Sequence, residues 1–156
     1  MNNAFKLIVA VAVSQAAGVI GALFTTPVIP TWYASLAKPA FNPPSWVFGP
    51  VWTTLFLLMG VAAFLVWQKG LEHKGVRVAL GVFLLQLALN TFWSIIFFGM
   101  RSPGGAVVEI IFLWLAIAAT IFLFYKISKA AALLLVPYIA WVSFAALLTY
   151  SIYTLN

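Results

Sequence analysis

Few residues in this sequence of 156 could perform acid–base, nucleophilic or metal chemistry. There are two acids, Glu72 and Glu109, one histidine, His73, and no cysteine. Disulfides and thiolate-ligated metal or iron–sulfur sites are thereby excluded. No HExxH, Walker loop, GxSxG or carboxylate pair occurs, so no metal site is expected and no conventional catalytic machinery is present. His73 lies in the polar stretch 69–75 and is expected to be solvated at a membrane surface. Glu109 is the only acid inside an apolar run, and an acid at membrane depth is a functional candidate by default. It also falls in the first turns of its helix, where the positive end of the helix dipole favours an anion. The expectation for Glu109 is therefore helix-terminus stabilisation, or an ion pair with Lys38 or Arg101.

The chemistry this sequence does supply is that of binding. Gln86 and Asn90 are four apart and share a helix face, which Phe83, Trp93 and Phe97 extend along successive turns. Amides in lipid are costly unless paired, so these two must face a neighbouring helix or a cavity. Hydrogen bonding between helices and contact with a ligand are both open readings. Phe48, Trp52, Phe56 and Met59 make a second stripe, and Tyr138, Trp141, Ala145, Leu148 and Ile152 a third. Aromatic stripes at helical spacing usually pack against neighbours. Combined with small residues such as Ala145, they leave room for a flat apolar guest. The densest stretch is 32–52, WYASLAKPAFNPPSWVFGPVW, with Lys38 as its single charge. Pro39, Pro43, Pro44 and Pro50 lack a backbone N–H and restrict the residue before them, so most of this stretch cannot be regular helix. Its indoles suit a membrane interface, or the stacking of a flat ligand.

The elements that must position these groups follow from composition. The chain is 65% hydrophobic with a mean hydropathy of +1.14, and 6% of it is charged, against roughly 25% in a soluble domain. A water-facing surface cannot be built from it. The reading is an all-α integral membrane protein, one domain over residues 1–156. Five segments are long and apolar enough to span: Phe5–Thr25, Trp46–Gln68, Val76–Gly99, Gly105–Tyr125 and Ala130–Leu155. Pro27 and Pro30 are expected to end the first, leaving a long Pro/Trp-rich loop between helices 1 and 2. The other loops are short, so neighbouring helices run antiparallel in a tight bundle. The first apolar run is longer than a signal-peptide core and reads as a retained helix.

Net charge is +6, from bases scattered over loops, which points to topology and anionic lipid rather than nucleic acid. Lys6, Lys69, Lys74, Arg77, Lys126 and Lys129 fall on one side, and only Lys38 and Arg101 on the other. The N-terminus is expected inside, with the Trp-rich loop and C-terminus outside. No internal repeat of the kind used by many secondary transporters is visible. Ala17, Gly18 and Gly21 on the first helix, and Ala79, Gly81 and Ala88 on the third, allow close approach within the bundle or between protomers.

Read in order, Trp32-Tyr33, Leu36, Lys38-Pro39, Pro43-Pro44, Trp46, Phe48 and Pro50-Val51-Trp52 resemble the signature of the TspO/translocator protein family. The likeness continues through Gln86–Asn90 (QLALN), Trp93, Phe97-Phe98-Gly99-Met100-Arg101, Glu109, Pro137–Trp141 (PYIAW) and Phe144-Ala145. It covers essentially the whole chain. The resemblance implies a five-helix bundle, usually a homodimer, whose first long loop lids a cavity. It implies binding of porphyrins such as protoporphyrin IX, and of benzodiazepine and isoquinoline drugs. By matching position, Trp52, Asn90, Trp141 and Ala145 would line the pocket, with Trp32, Tyr33, Pro43, Pro44 and Trp46 in or under the lid. Gln86, Trp93 and Phe144, in the motifs beside them, complete the candidate ligand-binding set. No cofactor is required; the porphyrin is the ligand. The sterol motif of animal members needs a base after its tyrosine, and the tail 148–156 contains none, so specific cholesterol binding is not expected.

Three functions fit these residues. The first is a membrane receptor or sensor for porphyrin. The second is light- and oxygen-dependent porphyrin breakdown, in which Trp52 and Trp141 would be the catalytic residues and the photochemistry would be the ligand's own. The third is facilitated transport of porphyrin or another lipophile, although no energy-coupling motif accompanies it.

Overall fold

The computed structural model describes residues 2–156. Among the described residues the secondary structure is all-helical, with five helical segments long and apolar enough to cross a membrane. Helix α1 spans Asn3–Thr25 and starts where the Asn2 side chain accepts a hydrogen bond from the Phe5 N–H at 2.8 Å. Helix α2 is Phe48–Trp67, α3 is Lys74–Ser94 and α4 is Pro103–Tyr125. The last span is divided into α5, Lys129–Leu134, and α6, Val136–Leu155. Ser102 and Ser128 cap α4 and α5 by accepting from the N–H groups of Gly105 and Ala131.

Two elements differ from the sequence expectation, both at prolines. The first helix does not end at Pro27 and Pro30. Its α-helical bonding stops at Thr25, but the helical path runs on through a 3-10 turn, Thr26–Val28, and a π turn, Ile29–Tyr33. Proline fixes a φ that suits a helix and removes only a donor. Tightening and then widening the turn moves the bonding around the missing N–H groups, and the Ala34 N–H closes on the Ile29 carbonyl. The non-helical connection is thereby cut to residues 36–44. The last span, expected as one helix, breaks at Leu135, two residues before Pro137. There the Leu135 N–H makes a 3-10 bond to the Ala132 carbonyl at 3.1 Å.

Helix α1 packs on α2 and α3, α4 on α3 and α6, and the short α5 bridges α2 and α4. In lipid the drive for this packing is close contact rather than water exclusion, so small residues mark the tight points. A Cβ on Gly60 of α2 would lie 2.6 Å from the Cα of Val11 on α1. Buried side chains form two clusters. The larger runs through Met59, Val66, Phe83, Ile117, Phe124 and Tyr138. The smaller, beneath the 36–44 connection, holds Tyr33, Phe97, Phe98, Ala106, Leu148 and Ile152. The candidate site lies where the two meet.

Candidate functional site

Between the clusters is a cavity of about 460 Å³. Its walls are Gly18 and Gly21 of α1, Ile29 and Tyr33 of the helical extension, and Phe48, Trp52 and Phe56 of α2. Asn90, Trp93 and Phe97 of α3 with its π turn, and Trp141, Ala145 and Leu148 of α6, complete them. Trp46 stands at the rim, 75% exposed. Among the described residues no charged side chain lines the cavity. Its polar lining residues are the amides Gln15 and Asn90 and several hydroxyl side chains.

The candidate residues divide into two groups. Tyr33, Trp46, Trp52, Asn90, Trp93, Trp141 and Ala145 line the cavity. Trp32, Pro43, Pro44, Gln86 and Phe144 do not; they sit behind those residues or over them. Trp32 packs edge-on to Phe97 with ring centroids 5.6 Å apart, and Phe144 lies 5.4 Å from Trp141. The Pro44 carbonyl accepts from the Val47 N–H at 3.0 Å, starting the 3-10 turn Ser45–Val47 that carries Trp46 to the rim.

Gln86 and Asn90 share a face, and one hydroxyl ties them to the facing helix. The Asn90 amide donates to the Tyr138 oxygen at 2.7 Å, and the Tyr138 O–H donates to Gln86 Oε1 at 2.6 Å. Gln86 Nε2 reaches Met59 Sδ on α2 at 3.8 Å. Both open readings of these amides therefore apply, to different residues. Gln86, 1% exposed, joins helices, whereas Asn90 joins helices and also borders the cavity. The network holds α3, α6 and α2 at fixed separation around the cavity floor.

The indoles are fixed by ring contacts. Trp93 stacks on Phe97 at 5.0 Å, Trp52 packs on Phe56 at 5.6 Å, and Trp141 meets Phe48 at 6.1 Å. The Nε1 donors of Trp93 and Trp141 are buried without a hydrogen-bond partner, so those rings are held by packing alone.

The 36–44 connection contributes no residue to the cavity wall but packs over Tyr33, which does. The Tyr33 hydroxyl donates to Asn42 Oδ1 at 3.2 Å, and the Lys38 ammonium sits 4.7 Å from the centre of the Tyr33 ring. Phe41 lies against Phe144, with centroids 6.1 Å apart. The Asn156 side chain accepts from the Ala37 N–H at 3.1 Å and donates to the Ala37 carbonyl at 2.9 Å, pinning the connection to the end of α6.

Glu109 does not follow either expectation. It is buried, and neither carboxylate oxygen has a hydrogen-bond partner. No ion pair reaches it from Lys38, which is turned to Tyr33 and to the Leu36 carbonyl, or from Arg101, which is exposed. It falls at the end of the second turn of α4, beyond the first turn where the dipole acts, and on the buried face. His73 is exposed, 3.6 Å from Glu72. Among the described residues no group of three His, Cys, Asp or Glu could hold a metal.

Sequence reading did not single out Gln15, whose Nε2 donates to the Thr53 carbonyl on α2 at 3.1 Å, or Asn156. The signal for Gln15 was the one used for Gln86 and Asn90, an amide in mid-span. Asn156 carried no sequence signal.

Spanning helices that close on an uncharged, indole-walled cavity under a pinned connection define a multi-pass membrane protein with a receptor-like site. The model of the TspO/MBR family matches residues 10–155. The tryptophan-rich protein TspO of Archaeoglobus fulgidus is 43% identical over 154 residues, 99% of each chain. The human translocator protein is 46% identical over 127 residues, 80% of this chain and 75% of its own. The tryptophan-rich sensory protein of Cereibacter sphaeroides is 42% identical over 125 residues, 80% and 77% of the two chains. The chain belongs to the TspO/MBR family, and that membership supports a membrane receptor-like role.

Proposed function

We propose that the chain is a membrane receptor or sensor that binds a porphyrin, protoporphyrin IX or a related tetrapyrrole, and that flat benzodiazepine- or isoquinoline-type ligands share its site. The observation that carries this reading is the cavity of about 460 Å³ with Trp46, Trp52, Trp93 and Trp141 on its walls and rim. Its volume falls within the roughly 300–1,000 Å³ of ligand pockets, and indole faces suit a broad π-system. Asn90 and Gln15 offer the two side-chain amides of the wall. The test is a titration of the purified protein with protoporphyrin IX in the dark, followed by tryptophan fluorescence. The expected result is saturable quenching with one site per chain. Non-saturable quenching equal to that of an unrelated membrane protein would overturn the reading.

A second reading is favoured by one observation: Trp52 and Trp141 both border the cavity, so both would touch a bound porphyrin. On illumination an indole would give up one electron to the excited porphyrin, which passes it to dioxygen as superoxide; the indole radical cation would then take an electron back from the porphyrin, and the porphyrin radical cation so formed would combine with superoxide, beginning light-dependent breakdown of the ligand. An absorbing product that requires light, oxygen and both indoles supports this; the same product from free tryptophan in detergent defeats it.

Two further proposals complete the picture. The orientation puts the N-terminus inside and the 36–44 connection and C-terminus outside. The fold supports it by gathering ends: Lys6 lies 5.9 Å from the Trp67 ring at the base-rich end, and Asn156 meets Ala37 at the other. Assembly as a homodimer is supported by the small exposed Gly81 and Ala88 on α3, and cross-linking in lipid tests it.

A further inference from the structure

The cavity is not closed equally on all sides. At the loop end the 36–44 connection lines no part of the cavity but is clasped over its wall residue Tyr33, by Asn156 on Ala37, Tyr33 on Asn42 and Phe41 on Phe144. Toward lipid, between α1 and α2, there is no such clasp. The two helices touch at Gly60 and Val11, and again where the Phe56 ring would lie 2.6 Å from a Cβ on Gly18. Their last polar link is the hydrogen bond from Gln15 Nε2 to the Thr53 carbonyl. Toward the rim, a Cβ on Gly49 of α2 would meet nothing within 4 Å. Val19, Ala22 and Thr26 on α1, with Gly49 and Thr53 on α2, line the cavity and are also exposed on the outer surface of the bundle. Residues that belong to both surfaces mark a mouth.

The geometry points to a lateral slot between α1 and α2 as the route by which ligand enters the cavity from the bilayer, with the Gln15–Thr53 bond as its floor. The guests it admits are flat amphiphiles already dissolved in the membrane. This rests on the porphyrin reading for its probe, but not for its geometry. The cavity lining carries no charge, so the acidic end of such a guest must stay outside it. A bilayer-dissolved amphiphile already keeps its carboxylates at headgroup level and its apolar plane among the acyl chains. Sliding edge-on through the slot keeps both there, with the acidic end passing the rim at Ser45, Trp46 and Thr26. Entry through the 36–44 connection would instead carry the apolar plane through water and break the Asn156 clasp.

The test fills the slot. Ala22→Trp and Gly49→Trp are made separately in full-length protein reconstituted in vesicles, and entry and release of protoporphyrin IX are timed in the dark. Both substitutions are expected to slow entry and release together by about tenfold, the mark of a blocked route; faster release with unchanged entry in both variants, the mark of lost wall contacts alone, would overturn the slot. Unchanged rates in both variants, with Asn156→Ala accelerating entry, would overturn the slot in favour of the connection. Wild-type protein that shows no saturable binding refutes the porphyrin reading and leaves the route to a second measurement. The chain has no cysteine, so Ala145→Cys places one thiol on the cavity wall. A bilayer-dissolved maleimide should label it, and Ala22→Trp should slow that labelling about tenfold. Labelling that Ala22→Trp does not slow would refute the slot whatever the ligand.

Discussion

Tyr138→Phe removes one oxygen and nothing else, and the structure allows its cost to be worked out. Tyr138 is 1% exposed, and its hydroxyl accepts from Asn90 at 2.7 Å and donates to Gln86 at 2.6 Å. Hydrogen bonds between membrane helices are worth about 0.6 kcal/mol on average and about 1.7 at most, so two of them amount to about 1–3 kcal/mol. The ring stays, so no cavity is opened and the loss is polar. Two buried amides are left with an unfilled position, which puts the expected destabilisation at the upper end of that range. The assay is reversible unfolding in mixed detergent micelles, following helical circular dichroism. Gln86→Leu in the same background supplies the control. It removes one of the stranded amides, so the double variant should lose less than the sum of the two single losses. A loss below about 0.5 kcal/mol for Tyr138→Phe, or strict additivity in the cycle, would refute the claim that this hydroxyl holds α3 to α6.

Other substitutions probe the remaining parts of the site. Trp52→Phe with Trp141→Phe should weaken dark porphyrin binding by about tenfold, since aromatic pairs contribute about 0.5–1.5 kcal/mol each beyond buried area; unchanged affinity would put the ligand elsewhere. Asn156→Ala should leave the bundle folded but expose the 36–44 connection, read as faster limited proteolysis there, because the clasp on Ala37 supplies two of its anchoring bonds. Gly60→Ala should cost about 1–3 kcal/mol in the same unfolding assay, because the new methyl would lie 2.6 Å from backbone at Val11 and must push α1 from α2.

Much of the fold was legible in one dimension because the bilayer imposes one rule. Each span must satisfy its own backbone and present apolar side chains, so length and hydropathy alone mark five helices. The ring stripes at helical spacing placed Trp52, Asn90 and Trp141 on inward faces, since periodicity determines which residues share a side. Periodicity says nothing about which partner that side meets. That Tyr138 stands between Gln86 and Asn90 depends on how α6 is rotated against α3, a matter of packing. Proline was read as a terminator at Pro27 and Pro30 because its effect on α-helical bonding is local and known. Whether the chain can bypass the lost donors with a 3-10 and a π turn depends on the neighbours that hold Tyr33 in place, and it extended the cavity wall to that residue. Glu109 shows the same division. Its sequence position near a helix start suggested the loop bases as partners, while the rotation of α4 turned it inward and left it unpaired. Composition and spacing thus determined that this is a membrane bundle with indole faces and where its stiff connection lies. Only the tertiary structure decided that the faces border a common cavity, that Asn156 pins the connection to the end of α6, and that exposed residues of α1 and α2 share the cavity wall. Those are relations between segments distant in sequence, set by side-chain contacts that no local rule encodes.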